Sequence, residues 1–234
     1  MYKKNEMMDR PVINDDVRDY LRTAQKQLDG GLKDLQDTAS ENRNPVIPHE
    51  TVSYLIWMLE QLQPKDILEV GMHIGFSASV FAEYTDANIQ TIERNEEMIP
   101  RAQANFEQFG IADRVKILEG QAEDWLEKLP ADHFDFIFMD SAKSKYYDFF
   151  SDCMRVLKKG GVLAVDDVLQ GGTITQPSEE IPLRVRTIHK KLNAFLDVVL
   201  NHEALTSTIL PLGDGLLLIT KKEDYDFSFM KPTK

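Results

Sequence analysis

The fold of this chain is decided by the stretch DILEVGMHIG, residues 66–75, in which a short apolar run ends on Glu69 and passes into a turn with two glycines. Three later apolar runs also end on carboxylates, at Glu93, at Asp140 and at Asp166-Asp167. Runs of this length are typical of buried strands. In an open α/β sheet the carboxyl ends of parallel strands form one edge, where ligands bind. The sequence therefore predicts that these acids converge at one site.

Apolar runs alternate with amphipathic segments from residue 66 onward, in the order strand, helix, strand. Parallel strands with crossover helices are the economical arrangement for such a chain. The predicted strands cover 66–71, 88–93, 114–119, 134–140, 162–168, 205–210 and 216–220, and the last two flank a turn-rich connection that predicts an antiparallel hairpin. We therefore predict an α/β fold with a Rossmann-like, doubly wound sheet of seven strands, mostly parallel with an antiparallel C-terminal hairpin, and helices on both faces.

Two helices are predicted before the sheet. Apolar positions at helical spacing predict the first over 15–29, stopped by Gly30-Gly31, and the second from Val52 to Leu62, before Pro64. The chain of 234 residues shows no compositional sign of a second core. The expected organisation is N-terminal helices in 1–64, one sheet domain over 65–222 on which they pack, and a polar tail over 223–234 that is disordered or peripheral.

Charge and cysteine content narrow the function classes. Lys plus Arg number 27 and Asp plus Glu number 39, so the formal charge is −12 and broad attraction to nucleic acid or anionic lipid is disfavoured, although this leaves room for a local basic patch. The one cysteine, Cys153, cannot form an internal disulfide, and no apolar stretch approaches the length that crosses a bilayer. We expect a soluble cytoplasmic protein without membrane contacts.

The glycine turn over 71–75 allows a ligand to approach the backbone closely. Because His73 occupies its middle position, the spacing is G-x-x-x-G, which weakens a pyrophosphate-binding interpretation. Glu93 lies roughly 20 residues later, where an acidic residue accepts hydrogen bonds from ribose hydroxyls. Gly120 would lie beside an adenine, with the Glu123 carboxylate available to the exocyclic amine. Each signal alone also fits an ordinary strand end, but together they predict a nucleoside pocket.

The second predicted feature is a cluster of acids. Asp140, Asp166 and Asp167 follow neighbouring strands, so their carboxylates would repel one another unless a cation lies between them. An all-oxygen set favours Mg²⁺, Ca²⁺ or Mn²⁺ over zinc. Such an ion can acidify a bound hydroxyl, and Lys143 is then placed to take up the proton. The alternative for Lys143 is a solvated loop lysine.

These pieces together resemble the class I S-adenosylmethionine-dependent O-methyltransferases, specifically the cation-dependent group that includes catechol and caffeoyl-CoA methyltransferases. The resemblance covers nearly the whole chain and is carried by EVGMHIGFSA (69–78), TIE (91–93), MDSAK (139–143), VDDV (165–168) and PLGDG (211–215). It implies two cofactors, S-adenosylmethionine and Mg²⁺ or another divalent cation.

The resemblance also implies roles for individual residues. It implies a cofactor pocket lined by Ile47, Glu69, Gly71, Ser77, Glu93, Gly120, Ala122 and Asp140. It implies a cation held by Asp140, Asp166 and Asp167, with Lys143 as the catalytic base and Asp140 as a further catalytic residue. The third metal position is usually Asn in this family. Asp167 adds a negative charge there, which should strengthen ion binding and blunt the acidification of the acceptor.

The predicted acceptor rests on a closer likeness to bacterial enzymes that methylate 5-hydroxyuridine at the wobble position of tRNA, giving 5-methoxyuridine. TIERNE (91–96) and GDGL (213–216) carry most of that likeness. Four cations on one predicted helix could meet tRNA phosphates, or could be a solvated face paired with nearby acids: Arg184, Arg186, Lys190 and Lys191. The alternative acceptor is a small catechol-like molecule or vicinal diol. The resemblance also implies a homodimer, with the N-terminal helices as the suspected interface.

Two interpretations from other classes stay open on sequence alone. One is a non-catalytic nucleotide-binding or interaction module that has kept the fold. The other is an NAD-dependent dehydrogenase, which His73 in the glycine turn disfavours.

Overall fold

A computed structural model describes residues 13–42 and 44–232 of the chain. The described strands are β1 (Asp66–Val70), β2 (Asn88–Glu93), β3 (Val115–Glu119), β4 (Phe134–Met139), β5 (Leu157–Val165), β6 (Leu205–Leu210) and β7 (Leu216–Lys221). The α-helices are α1 (Asp15–Ala24), α2 (Gly30–Glu41), α3 (His49–Leu62), α4 (Phe76–Tyr84), α5 (Ile99–Gln108), α6 (Ala122–Leu126), α7 (Tyr146–Val156) and α8 (Leu183–Asn201). Within these residues, no helix has both the length and the apolar character needed to span a membrane.

The seven strands form one sheet in the order β3-β2-β1-β4-β5-β7-β6. The first five strands, β1 to β5, run parallel to one another, whereas β7 is antiparallel to both of its neighbours, β5 and β6. This confirms the predicted fold class, including the antiparallel C-terminal hairpin. The strand order changes direction between β1 and β4, whose last residues Val70 and Met139 are paired. A ligand crevice is expected outside the carboxyl ends of two such strands.

Both faces of the sheet are covered by helices. Successive strand residues alternate between two buried clusters: Leu68 packs with Phe150 and Phe195 from α7 and α8, whereas its neighbour Ile67 packs with Leu55 from α3. The central strands β1 and β4 bury both of their faces and are mostly apolar in sequence, whereas the outer strands β3 and β6 leave some residues exposed. This burial explains why the runs that end on acids could be recognised as strands.

The prediction for the N-terminal helices is wrong in one respect. The first helix ends at Ala24, and Gly30-Gly31, which were expected to stop a helix, begin α2. A Cβ on Gly31 would lie 2.6 Å from the Phe109 ring, so glycine allows α2 to lie close to that side chain. Leu32 and Ala39 are buried on α2. Burial of these side chains offsets the roughly 1 kcal/mol by which glycine disfavours a helix.

The tail was expected to be disordered or peripheral, and for the described residues this is wrong. Phe227 is 2 % exposed and Met230 is fully buried, and the Phe227 ring packs edge-on against Phe150 at 5.0 Å between centroids. Lys231 pairs with Asp152 of α7 at 2.7 Å. The segment is polar on average, but Phe227 and Met230 bury enough apolar surface to hold it in place. The domain boundaries themselves stay a prediction.

Candidate active site

A cavity of about 1030 Å³, open mouth included, lies at the carboxyl ends of β1, β2 and β4. Seven of the eight residues predicted to bind a cofactor line it: Ile47, Gly71, Ser77, Glu93, Gly120, Ala122 and Asp140. They come from the loop before α3, the first turns of α4 and α6, and the ends of four strands. The structure thus brings together, around one concave site, positions that are separated in sequence.

The glycine turn gives the cavity its shape. Gly71 has a φ of +105°, and a Cβ at this position would lie 2.0 Å from the backbone oxygen of Asp140. Only glycine therefore lets the end of β1 approach the end of β4 this closely. Within the same turn, His73 has a φ of +51° and its backbone N–H donates to Glu93 at 2.8 Å.

Glu93 is held rigidly in the cavity wall. One carboxylate oxygen accepts the N–H of His73 and the other accepts the N–H of Asn95 at 2.7 Å. A carboxylate has about four acceptor positions, so these two bonds leave capacity for further donors. The arrangement suits a pair of hydroxyl groups, as the sequence pattern predicts for a ribose.

Glu69 is the predicted cofactor residue that does not line the cavity. It is fully buried and accepts hydrogen bonds from the hydroxyls of Ser77 on α4 and Thr91 on β2. Burial raises the pKa of its carboxyl group to about 8. Because Ser77 does line the cavity, Glu69 lies one side chain behind the cavity wall and contacts it through that serine.

One end of the cavity carries an ion pair that sequence reasoning missed. Glu123, expected beside an adenine, accepts a hydrogen bond from Lys145 at 2.7 Å, and both side chains line the cavity. Phe149 of α7 lines it as well. Neither Lys145 nor Phe149 carries a sequence signal, since their partners are distant in the chain. Only the packing of α7 beside α6 brings them to the site.

The acid cluster adjoins this cavity at Asp140, which belongs to both. Burial and the nearby Asp167 carboxylate raise the pKa of Asp140 to about 6. Burial, with repulsion from Asp140 and Asp167, raises the pKa of Asp166 to about 8. Asp167 is more exposed and pairs with Lys143, whose Nζ lies 2.5 Å from its carboxylate. The four predicted groups are therefore electrostatic neighbours.

The residues fit a hard divalent cation. Across residues 13–42 and 44–232, no three His, Cys, Asp or Glu side chains are grouped as a ready metal site. However, Asp166 Oδ1 is buried and has no hydrogen-bond partner among the described atoms. An unpartnered oxygen in a crowded, oxygen-only acid cluster is relieved by Mg²⁺ or Ca²⁺. The cation site itself stays a prediction.

Comparison with known proteins decides the family. The family model described as O-methyltransferase matches residues 24–222 of this chain. The chain belongs to this O-methyltransferase family. The match spans the sheet, the cavity and the acid cluster together.

Relatives and solved structures agree with that assignment. The chain is 29 % identical over 178 residues to caffeoyl-CoA O-methyltransferase 1 of Eucalyptus globulus, covering 70 % of each chain. It is 26 % identical over 169 residues to the caffeoyl-CoA O-methyltransferase of Stellaria longipes, covering 69 % of this chain and 70 % of the relative.

Among structures, the SAH-bound methyltransferase of Podospora anserina has a TM-score of 0.79 at 25 % identity, covering 95 % of this chain and 99 % of that one. A crystal structure from Staphylococcus aureus has a TM-score of 0.82 at 29 % identity, covering 88 % of this chain and all of that one. These findings confirm the prediction of an S-adenosylmethionine-dependent O-methyltransferase.

Proposed function

We propose that this methyltransferase uses Mg²⁺ or another divalent cation to methylate 5-hydroxyuridine at the wobble position of tRNA, giving 5-methoxyuridine. The observation that carries the cation-dependent part is the position of Asp140. This residue lines the cofactor cavity and lies within electrostatic range of Asp167 and Lys143. A methyl donor in the cavity would therefore lie beside the groups that prepare the acceptor.

The residues of the chain divide the chemistry between them. Bound S-adenosylmethionine supplies an activated methyl group, and a bound divalent cation supplies the acidification of an acceptor hydroxyl. Asp140, Asp166 and Asp167 would hold the cation. Lys143, as the neutral amine, would receive the hydroxyl proton at Nζ, and the adjacent Asp167 carboxylate would stabilise the ammonium that forms. The protein mainly aligns donor and acceptor and needs no covalent intermediate.

Support for a tRNA acceptor comes from the sequence resemblance and, in part, from α8. Arg184 and Lys190 are exposed on this helix. Arg186 instead donates to the backbone oxygens of Ile181 and Glu179, and Lys191 pairs with Asp148 at 2.8 Å. Two of the four cations are thus already engaged. Binding to tRNA phosphates through Arg184 and Lys190 alone predicts a shallow salt dependence.

A small catechol-like acceptor is the second candidate, favoured by the relatives named for caffeoyl-CoA. A caffeoyl group carries two adjacent hydroxyls, and 5-hydroxyuridine carries a hydroxyl beside a carbonyl. Both acceptors can therefore present two neighbouring oxygens to one cation. The acid cluster suits either of them.

The acceptors can be distinguished with labelled S-adenosylmethionine and Mg²⁺. The purified protein is incubated with tRNA bearing 5-hydroxyuridine, with the same tRNA bearing uridine, and with a panel of catechols. We expect label on the first tRNA and none on the second. Label on catechols alone would exclude the tRNA acceptor, and full activity in metal-free buffer would exclude the cation.

The role of Lys143 is tested in the same assay. Lys143→Ala should lower the rate at least a hundredfold while S-adenosylmethionine binding stays within about threefold, because Lys143 does not line the cavity. Lys159→Ala is the matched control, since Lys159 is an exposed lysine near the amino end of β5, whereas the acid cluster follows its carboxyl end. Equal rates for the two variants would show that Lys143 is not the base.

A further inference from the structure

The loop that follows Asp167 is hydrogen-bonded to the turn between β6 and β7. The backbone N–H of Val168 donates to the oxygen of Gly215 at 3.1 Å, and the N–H of Leu169 donates to the oxygen of Asp214 at 2.8 Å. A third bond uses a side chain, because the N–H of Gly171 donates to the Asp214 carboxylate at 2.6 Å. The PLGDG segment recognised in the sequence therefore has a structural partner beside the acid cluster.

This loop adopts a backbone conformation that is unfavourable for residues other than glycine. Three consecutive residues lie in the left-handed region, with φ of +53° at Gln170, +62° at Gly171 and +78° at Gly172. Asp167, which pairs with Lys143, has a φ of +60°. Left-handed residues other than glycine cost of order 1 kcal/mol each and persist when surrounding contacts hold them.

Asp214 supplies the contact that can hold this conformation. Successive left-handed residues aim their N–H groups in one direction, and the Asp214 carboxylate accepts the N–H of Gly171, the middle residue of the three. Hydrogen bonds to an ionised acceptor are roughly twice as strong as neutral ones. Within the loop the N–H of Gly172 donates to the oxygen of Leu169 at 3.0 Å, and the Asp214 carboxylate adds, from outside the loop, a partner for the N–H of Gly171.

The turn that carries Asp214 is itself held from two sides. A Cβ on Gly215 would lie 2.4 Å from the Leu169 side chain, so the loop leucine packs directly on the turn. A Cβ on Gly213 would lie 3.0 Å from Pro48, which precedes α3. The turn is therefore a firm support for the loop rather than a free hairpin end.

We propose that Asp214 is a positioning residue for the acceptor side of this active site, whose carboxylate holds the loop 169–172 and thereby sets the backbone of Asp167, the partner of Lys143. The inference rests on the proposed function in one respect, namely that Lys143 and Asp167 act on the acceptor. It predicts that loss of the Asp214 carboxylate weakens acceptor binding. Cofactor binding should be unchanged, because Asp214 does not line the cofactor cavity.

The hydrogen bond is tested first, by amide hydrogen exchange on the full-length protein. In Asp214→Ala the amide of Gly171 should exchange at least tenfold faster than in the wild type. Asp214→Asn keeps an acceptor oxygen and should exchange within about threefold of the wild type. Asp86→Ala removes an exposed acid at the far edge of the sheet and should change nothing. Unchanged exchange in Asp214→Ala would overturn the proposal.

The positioning role is tested second, by separating KM from cofactor affinity. We expect Asp214→Ala to raise the acceptor KM at least tenfold with the Kd of S-adenosylmethionine within twofold, and Asp214→Asn to restore most of the loss. An acceptor KM that does not change, or an equal loss of cofactor affinity, would refute it. If the wild type methylates neither acceptor, the proposed function fails, while the exchange experiment still decides whether Asp214 holds the loop.

Discussion

Replacing Glu69 with glutamine should stabilise the protein in alkaline solution. The carboxyl group of Glu69 is fully buried between β1, β2 and α4. Burial raises its pKa from 4.5 to about 8, against the lowering effect of the hydrogen bonds from Ser77 and Thr91 and with added repulsion from Asp140 and Glu93. Glutamine has nearly the same shape, carries no charge at any pH and can still accept a hydrogen bond from one of the two hydroxyls.

The sign and size of this stability difference follow from the dependence of the unfolding free energy on the pKa of Glu69. A carboxyl group with a higher pKa in the folded state stabilises the protein fully below about pH 4.5, and this contribution is lost as the pH rises through about 8. Each pKa unit corresponds to about 1.4 kcal/mol, so the loss is about 5 kcal/mol across this range. Glu69→Gln should not show the loss. Its advantage over the wild type should therefore be small at pH 5 and close to the full amount at pH 9.

The assay is urea denaturation followed by tryptophan fluorescence at pH 5, 6, 7, 8 and 9. The quantity compared is the free energy of unfolding of the variant minus that of the wild type at each pH. Glu83→Gln is the matched control, because Glu83 is exposed on the same helix that carries Ser77. A difference between Glu69→Gln and the wild type that stays constant from pH 5 to 9 would show that Glu69 is ionised in the folded protein at neutral pH.

Three further predictions concern other residues. Glu93→Ala should weaken S-adenosylmethionine binding about ten- to a hundredfold in calorimetry and leave the acceptor KM within twofold, since it removes charged hydrogen bonds at the cavity wall; equal losses for both ligands would mean that the ribose site is misplaced. Gly71→Ala should cost about 3 kcal/mol of unfolding free energy, because its Cβ would meet the Asp140 backbone at 2.0 Å; a denaturation midpoint equal to that of the wild type would contradict this. Phe227→Ala should cost about 3 kcal/mol by opening a cavity against Phe150, and a change below 1 kcal/mol in urea denaturation would mean that the tail contributes little.

The central strands β1 and β4 were predictable because each buries both faces. Double burial leaves a mostly apolar run that ends where the strand meets the ligand edge, as at Asp140 after β4. The helix at Gly30 was not predictable in this way. Its glycines are explained by the approach of Phe109, a residue that lies far along the chain. Helix propensity depends on neighbouring residues in the sequence and therefore does not reveal a contact with a distant residue.

Within the site, too, contacts between distant segments could not be predicted from the sequence. The positions of Gly71 and Asp140 at the cavity followed from topology alone. The burial of Glu69 behind Ser77 did not, because it depends on which hydroxyls β2 and α4 bring to that carboxylate. The hydrogen bond between Asp214 and Gly171 likewise depends on a turn that lies 43 residues further along the chain.

By itself the sequence determined the alternation of strands and helices, the glycine turn and the set of acids that close the strands, because these depend on composition and spacing within single segments. The tertiary structure alone decided which of those acids faces the cavity, which is buried with a raised pKa and which pairs with a lysine. Those properties depend on burial and on partners from distant segments, and solvation and Coulomb energies are set by distance in space rather than along the chain.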